Sequence, residues 1–225
     1  LLTQMMNDLR LKALPRHIEC FDNSNIQGTN PVSACVVFKD GKASKKDYRH
    51  FIPQTVIGPD DFATMREVVY RRYKRLQEEQ QPLPDLIVID GGKGQLSSAV
   101  ESLKNLGIYG QVPVIGIAKR LEELYYPDDE FPLYLDKKSE TLKIIQQLRD
   151  EAHRFGITHH RKRRSKNTFV TELDAIEGIG PKTSKQLLTE FKSVKKIKEA
   201  TQEELANIVG QKKASLVFAY FFDKK

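Results

Sequence analysis

The chain has 225 residues, enough for one large domain or two modest ones with a real core. Its 39% hydrophobic and 30% charged residues, without an apolar run near the roughly 20 residues of a membrane span, exclude a disordered or membrane-embedded chain. The net charge of +7 is unevenly placed: residues 1–150 hold 21 Lys and Arg against 21 Asp and Glu, whereas residues 151–225 hold 16 against 9. A basic block joined to a neutral one points to a polyanionic partner, nucleic acid or an anionic membrane surface, with a solvated Lys-rich face as the plainer alternative. Cys20 and Cys35 are too few for a disulfide framework or a four-ligand zinc site, so a reducing, cytoplasmic compartment is expected. The opening Leu1-Leu2-Thr3 has no signal-peptide layout and reads as the start of a fragment of something longer.

In chain order, Leu2, Met5, Met6, Leu9 and Leu11 fall at roughly helical spacing until Pro15, predicting a leading helix or linker remnant over residues 1–14. Three β-type runs follow at 17–22, 32–38 and 48–52, read as successive antiparallel strands with Asp40-Gly41 as a tight-turn signal between the second and third. From Pro59 the apolar period becomes 3.6, and Phe62, Met65, Val68, Val69, Tyr73 and Leu76 share one face of a helix that Pro82 and Pro84 stop. Leu86-Ile87-Val88-Ile89 is the continuous apolar run of a strand buried on both faces, and it ends at Asp90-Gly91-Gly92. A helix carrying Leu96, Val100, Leu103 and Leu106 leads to a fifth strand at 112–118. The order β-β-β-α-β-α-β predicts an α/β fold, a mixed sheet whose parallel strands are joined through helices.

Residues 120–137 read as a loop or small hairpin, and Leu142, Ile145, Leu148, Ala152 and Phe155 mark an amphipathic helix over 139–160. The domain to this point covers residues 15–160. The basic run Arg161-Lys162-Arg163-Arg164-Ser165-Lys166-Asn167 has no apolar anchor and suggests a linker over 161–170. Residues 171–225 then form a small helical unit with two comparable blocks, 173–191 and 197–218.

Asp22 and Asp90 each close an apolar strand. Ligands bind at strand ends in open α/β sheets, so two such carboxylates make a hard-oxygen site suited to Mg²⁺ or Mn²⁺. Beside Asn23-Ser24, Asp22 also reads as a turn residue. Asp90 is harder to dismiss, because a charge at the edge of burial costs several kcal/mol unless a cation meets it. Gly92-Lys93-Gly94-Gln95-Leu96-Ser97 imitates a dinucleotide-binding loop, but Ser97 stands where Gly or Ala is expected and Asp90 repels a pyrophosphate. A turn whose glycines admit a metal or substrate phosphate is preferred. His153 is the third candidate, able to bind a metal or to position and deprotonate water near neutrality; a lone helical His is otherwise an ordinary surface or core residue. His159 and His160, bordering the basic run, read as backbone-contacting or solvated, and Asp60 and Asp61 as a helix cap with a supporting role at the metal as the minority reading.

In the tail, Gly178-Ile179-Gly180-Pro181-Lys182 places two glycines around an apolar residue before a helix start, a turn that can offer N–H groups to a phosphate. An ordinary helix-helix turn is the alternative. The second block offers Gly210 followed by Lys212 and Lys213, a weaker phosphate contact.

Taken together, Cys20-Phe21-Asp22, the run from Ile89 through Gln95, Arg149-Asp150-Glu151-Ala152-His153, His160 with Arg161, Lys162, Arg163 and Arg164, and Gly178-Ile179-Gly180-Pro181 resemble, in order, the C-terminal half of the UvrC family. Members of that family are the incision subunits of bacterial nucleotide excision repair. The resemblance runs from about Arg16 to Tyr220 and implies an RNase H-like endonuclease domain followed by a tandem helix-hairpin-helix domain. It implies the 5′ incision beside a lesion and a site of Asp22, Asp90 and His153 with a further acid at Asp61; a neutral His in place of a carboxylate leaves less negative charge there and favours one Mg²⁺ or Mn²⁺ ion over a tight pair. The implied partners are damaged double-stranded DNA of bubble or junction character and, for the full-length protein, UvrB, with no membrane and a monomeric fragment expected. A DNA-binding scaffold without catalysis is the competing reading. The family commonly has His where this chain has Asn25, and the second hairpin lacks the Gly-Ile-Gly pattern.

Overall fold

The computed structural model describes residues 1–24, 31–118, 123–167 and 172–222, with backbone alone at 24 and 159–167. The chain divides into two compact units, Leu1–His160 and Arg161–Lys225. The first is built on a mixed sheet of β1 (His17–Ser24), β2 (Val32–Lys39), β3 (Lys42–Ala43), β4 (Arg49–Phe51), β5 (Leu86–Asp90), β6 (Val114–Ile117) and β7 (Leu124–Tyr125), ordered β3-β2-β1-β5-β6-β7 with β4 also on β2. β1 runs antiparallel to β2 and parallel to β5, and β5 parallel to β6. The parallel links pass through α2 (Asp61–Glu78) and α3 (Lys93–Asn105), as the alternation of patterns requires.

The Asp40-Gly41 turn has φ of 49° and 77°, and Lys39 pairs with Lys42 across it. Positive φ at both central residues suits the right-handed twist of the strands, and Gly41 adopts it without a Cβ penalty. The turn leads into two-residue β3, not directly into the third long run. That run, β4, returns to the other end of β2 after a 3-10 turn at Lys45–Asp47, pairing Cys35 with Arg49 and Ser33 with Phe51.

Strand parity decides what faces where. Ile18 and Cys20 of β1 and Leu86 and Val88 of β5 join a core with α1 (Leu2–Asp8) and α4 (Glu140–Asn167), while Phe21, Ile87 and Ile89 join the core under α2 and α3. Both faces of β5 are thereby covered, which is why its apolar run does not alternate.

Helix α2 begins two residues later than Pro59, because Asp60 caps it: its carboxylate accepts from the N–H groups of Phe62 and Ala63 at 3.1 and 2.9 Å. Helix α4 continues past 160 to Asn167, through the basic run 161–167, which holds no Gly or Pro. The basic residues 161–164 therefore lie on helical backbone. Their side chains, Asn25 and residues 168–171 lie outside the described residues. In the second unit a 3-10 turn at Glu172–Ala175 precedes α5 (Pro181–Phe191), α6 (Val194–Glu199), α7 (Gln202–Val209) and α8 (Gln211–Phe222), closed around Leu173, Ile179, Leu187, Ile197, Leu205 and Val217. Among the described residues no helix is long and apolar enough to cross a membrane.

Candidate active site

The last pair of the parallel β1–β5 ladder is Asp22 with Asp90. Each stands two residues beyond a side chain of the α4-facing core, Cys20 on β1 and Val88 on β5, so parity turns both carboxylates toward the helix that carries His153. Asp22 is 1% and Asp90 3% exposed, a degree of burial that two like charges tolerate only with compensating partners. One such partner is His153, whose Nδ1 lies 3.2 Å from Asp22 Oδ2 while 54% of its side chain stays open to solvent. When Nδ1 carries the proton it donates to Asp22, and the Nε2 lone pair is left for another group.

The field of the carboxylates is felt at Cys20. Burial, then the charges of Asp90 and Asp22, push its thiol well above the ordinary range, and Arg149 opposes them. Arg149 lies one helical turn before His153 on the same side of α4 and also holds Asp150, donating to its Oδ1 from Nε and Nη2 at 3.0 and 2.9 Å. Its charge reaches the same buried thiol that feels the two carboxylates. Sequence reasoning used Arg149 only as part of a motif, although its four-residue spacing from His153 was the available signal.

Asn23 ties this strand end to α2: its Nδ2 donates to the Asp61 carbonyl at 2.9 Å and its Oδ1 accepts from Ser33 Oγ. Asp61 is thus held by its backbone beside the end of β1, with its own side chain exposed in the first turn of the helix. Among the described residues no three His, Cys, Asp or Glu side chains are gathered into a ready cage for a metal ion. What is gathered is two carboxylates in register and an imidazole on one of them. The two carboxylates are hard oxygen donors of the kind that suits Mg²⁺ or Mn²⁺, and the imidazole is committed through Nδ1 to Asp22.

The glycines after Asp90 do something other than expected. A Cβ on Gly91 would stand 2.0 Å from Gln95 Oε1, and one on Gly94 would stand 2.6 Å from Phe62 Cε1. The space at both positions is taken by the protein's own side chains, and of these three glycines Gly92 alone faces open room. Phe62, placed by its spacing on the apolar face of α2, is 53% exposed, whereas Met65, Val68, Val69 and Tyr73 on that helix are fully buried.

A second polar group lies beneath α2, and sequence reasoning passed it by. Glu19, fully buried on β1, accepts from Arg72 Nη2 at 2.6 Å and Nε at 3.2 Å and from Tyr73 Oη at 3.0 Å, with His17 Nε2 at 3.2 Å. Burial would raise its pKa; the bonds from His17 and Arg72, with the Arg72 charge, outweigh that and hold it at about 2. A Glu inside an apolar strand run was the overlooked signal.

In the helical unit Gly178 has φ of 89°, and a Cβ there would stand 3.0 Å from Leu216 Cδ1. Gly180 caps α5, whose first residue is Pro181. Ile179 is buried and its N–H donates to Ile176 O at 3.0 Å, so neither its side chain nor its amide is offered to a ligand. Lys182 is exposed at the start of α5. Lys213 Nζ donates to Thr183 Oγ1 at 3.1 Å, tying the second block to the first, and Lys212 is exposed beside it.

A family model described as the UvrC RNAse H endonuclease domain matches residues 6–157, and one described as a SAM-like helix-hairpin-helix tandem matches residues 170–217. The UvrABC system protein C of Christiangramia forsetii is 66% identical over 220 residues, covering 98% of this chain and 37% of its own length. That of Porphyromonas gingivalis strain W83 is 63% identical over 214 residues, covering 95% of this chain and 36% of its own length. The chain therefore spans little more than a third of these relatives. A crystal structure of human ENDOV aligns with a TM-score of 0.41 and 13% identity over 69% of this chain and 89% of that one, too remote to assign anything.

Proposed function

This chain belongs to the UvrC family, and from that premise we propose that it is a divalent-metal-dependent DNA endonuclease of nucleotide excision repair, making the incision on the 5′ side of a lesion. The observation that carries the reading is the in-register, buried pair Asp22 and Asp90 with the His153 imidazole on Asp22. Asp22 and Asp90 would hold the ion. A bound Mg²⁺ or Mn²⁺ would neutralise charge on the scissile phosphate and lower the pKa of a water.

The contact to Asp22 orients His153, so that Nε2 can position an attacking water and take its proton. Acting as a ligand through Nδ1 instead, His153 would have to give up that contact. A neutral imidazole in place of a third carboxylate leaves less negative charge in the site, which supports one ion over a closely spaced pair. Asp61, held beside the end of β1 through Asn23, is the further acid at the rim.

The basic second unit would hold the substrate through its phosphates, with Gly178, Gly180 and Lys182 at the first hairpin and Lys212 at the second, supported by residues 161–164. Its DNA would have bubble or junction character, and UvrB would be a partner of the longer protein. The test is cleavage of a lesion-bearing bubble duplex with Mg²⁺ or Mn²⁺. Asp22→Asn, Asp90→Asn and His153→Ala each lose incision while DNA affinity stays within about 3-fold. Normal cutting by these variants would refute the site; a wild type that binds this DNA and does not cut it would favour the non-catalytic scaffold.

A further inference from the structure

Phe62 spends a large apolar ring on the protein surface, next to residues that carry the chemistry. It follows Asp61, whose carbonyl is bonded to Asn23, the residue after Asp22. Its ring lies against Gly94, in the first turn of the helix that follows Asp90, and a Cβ there would come within 2.6 and 2.7 Å of two ring atoms. The ring thus lies on the segment that leaves Asp90 at the C-terminal end of β5, and the backbone beside it is tied to the segment that leaves Asp22 at the end of β1. The other large exposed aromatics, Tyr109, Phe131, Tyr134 and Phe222, belong to none of these segments. Tyr109 packs under the Lys104 ammonium at 5.0 Å, and the Tyr134 hydroxyl donates to Glu123.

We propose that Phe62 is a stacking platform for a nucleobase of the substrate strand beside the scissile phosphate, and that Gly94 provides the space in which the ring is seated. The proposal rests on the nuclease reading and adds a positioning residue to it. An exposed aromatic face is covered well by a base, and such stacking tolerates any sequence because every base has a π-face. The carboxylates of Asp60 and Asp61 beside the ring repel phosphate, so the strand meets this spot with a base and not with its backbone. Holding one flanking nucleotide fixes the phosphate relative to Asp22 and Asp90.

The experiment scans 2-aminopurine along one strand of a bubble duplex and reads its quenching on binding to the 225-residue chain without divalent metal. One position next to the incised bond is quenched by the wild type. Phe62→Ala loses most of that quench and weakens binding by about 5-fold or more, with its thermal unfolding unchanged because the ring is half exposed. Phe62→Tyr and Phe62→Trp restore the quench, and Gly94→Ala, which displaces the ring, reproduces the loss. Wild-type quenching by Phe62→Ala, or failure of both aromatic variants to restore it, overturns the proposal. Asp22→Asn separates the two readings. If it abolishes incision and keeps the quench, both stand; if incision persists, the catalytic assignment falls while the quench still decides the role of Phe62.

Discussion

Replacing Arg72 by Met leaves the Glu19 carboxylate fully buried and strips it of its cation, while keeping the methylene stem that packs on the sheet. Glu19 has a pKa of about 2 against an ordinary value near 4.5, a preference for the ionised form of about 3 kcal/mol that the His17 bond shares with Arg72. Breaking a buried pair by removing one partner costs ~3–5 kcal/mol, an upper bound here because the bond from His17 remains. The folded pKa is depressed, so this stability is fully present above about pH 4.5 and disappears as pH falls toward 2. The gap between wild type and Arg72→Met, set by the Arg72 share of that preference, should therefore be about 2 kcal/mol at pH 7 and below about 1 kcal/mol at pH 3.

Because the chain has two units, a global probe would mix two transitions. The assay is urea unfolding read by pulsed hydrogen exchange of a peptide covering β1. A second variant, Glu19→Leu with Arg72→Met, removes both charges and should recover much of the loss. A gap below about 0.5 kcal/mol at pH 7, or one that does not narrow with acid, would refute the argument that the pair stabilises the β1–α2 contact.

Removing the cap of α2 by Asp60→Ala should cost about 1 kcal/mol, seen as faster exchange of the Phe62 and Ala63 amides; unchanged exchange there would contradict the capping geometry. DNA affinity should fall as salt rises, and Lys182→Ala should lower the slope of log affinity against log salt by about 1. A slope equal to that of the wild type would remove Lys182 from the phosphate contacts.

Much of the sheet was legible because its signals are local. The apolar run from Leu86 to Ile89 announces a strand buried on both faces, and Asp40-Gly41 announces its turn by the φ values it needs. Asp22 and Asp90 could be singled out because a carboxylate that ends an apolar strand contributes little to packing and costs desolvation, and the sheet places them in register. The tertiary arrangement was less legible. Periodicity put Phe62 on the buried face of α2, since hydrophobicity alone does not say where a helix's first turn projects past its neighbours. Glu19 and Arg72 are 53 residues apart, and only the packing of α2 on β1 turns them into a pair. The end of α4 was placed at 160, where the basic run begins, but the helical backbone goes on to Asn167. Of the two glycines in the turn Gly92-Lys93-Gly94, read as room for a ligand, Gly92 faces open space while Gly94 accommodates Phe62, a difference only side-chain positions reveal.

The proposed chemistry requires Asp22 and Asp90 to act as one cation site, and Mn²⁺ binding followed by electron paramagnetic resonance tests this without requiring turnover. Wild-type protein should bind one Mn²⁺ that Mg²⁺ displaces, and Asp22→Asn or Asp90→Asn should each weaken that binding by at least about 10-fold, roughly one kcal/mol or more per lost ligand charge. Binding of equal affinity in either variant, or two ions of equal affinity in the wild type, would contradict it.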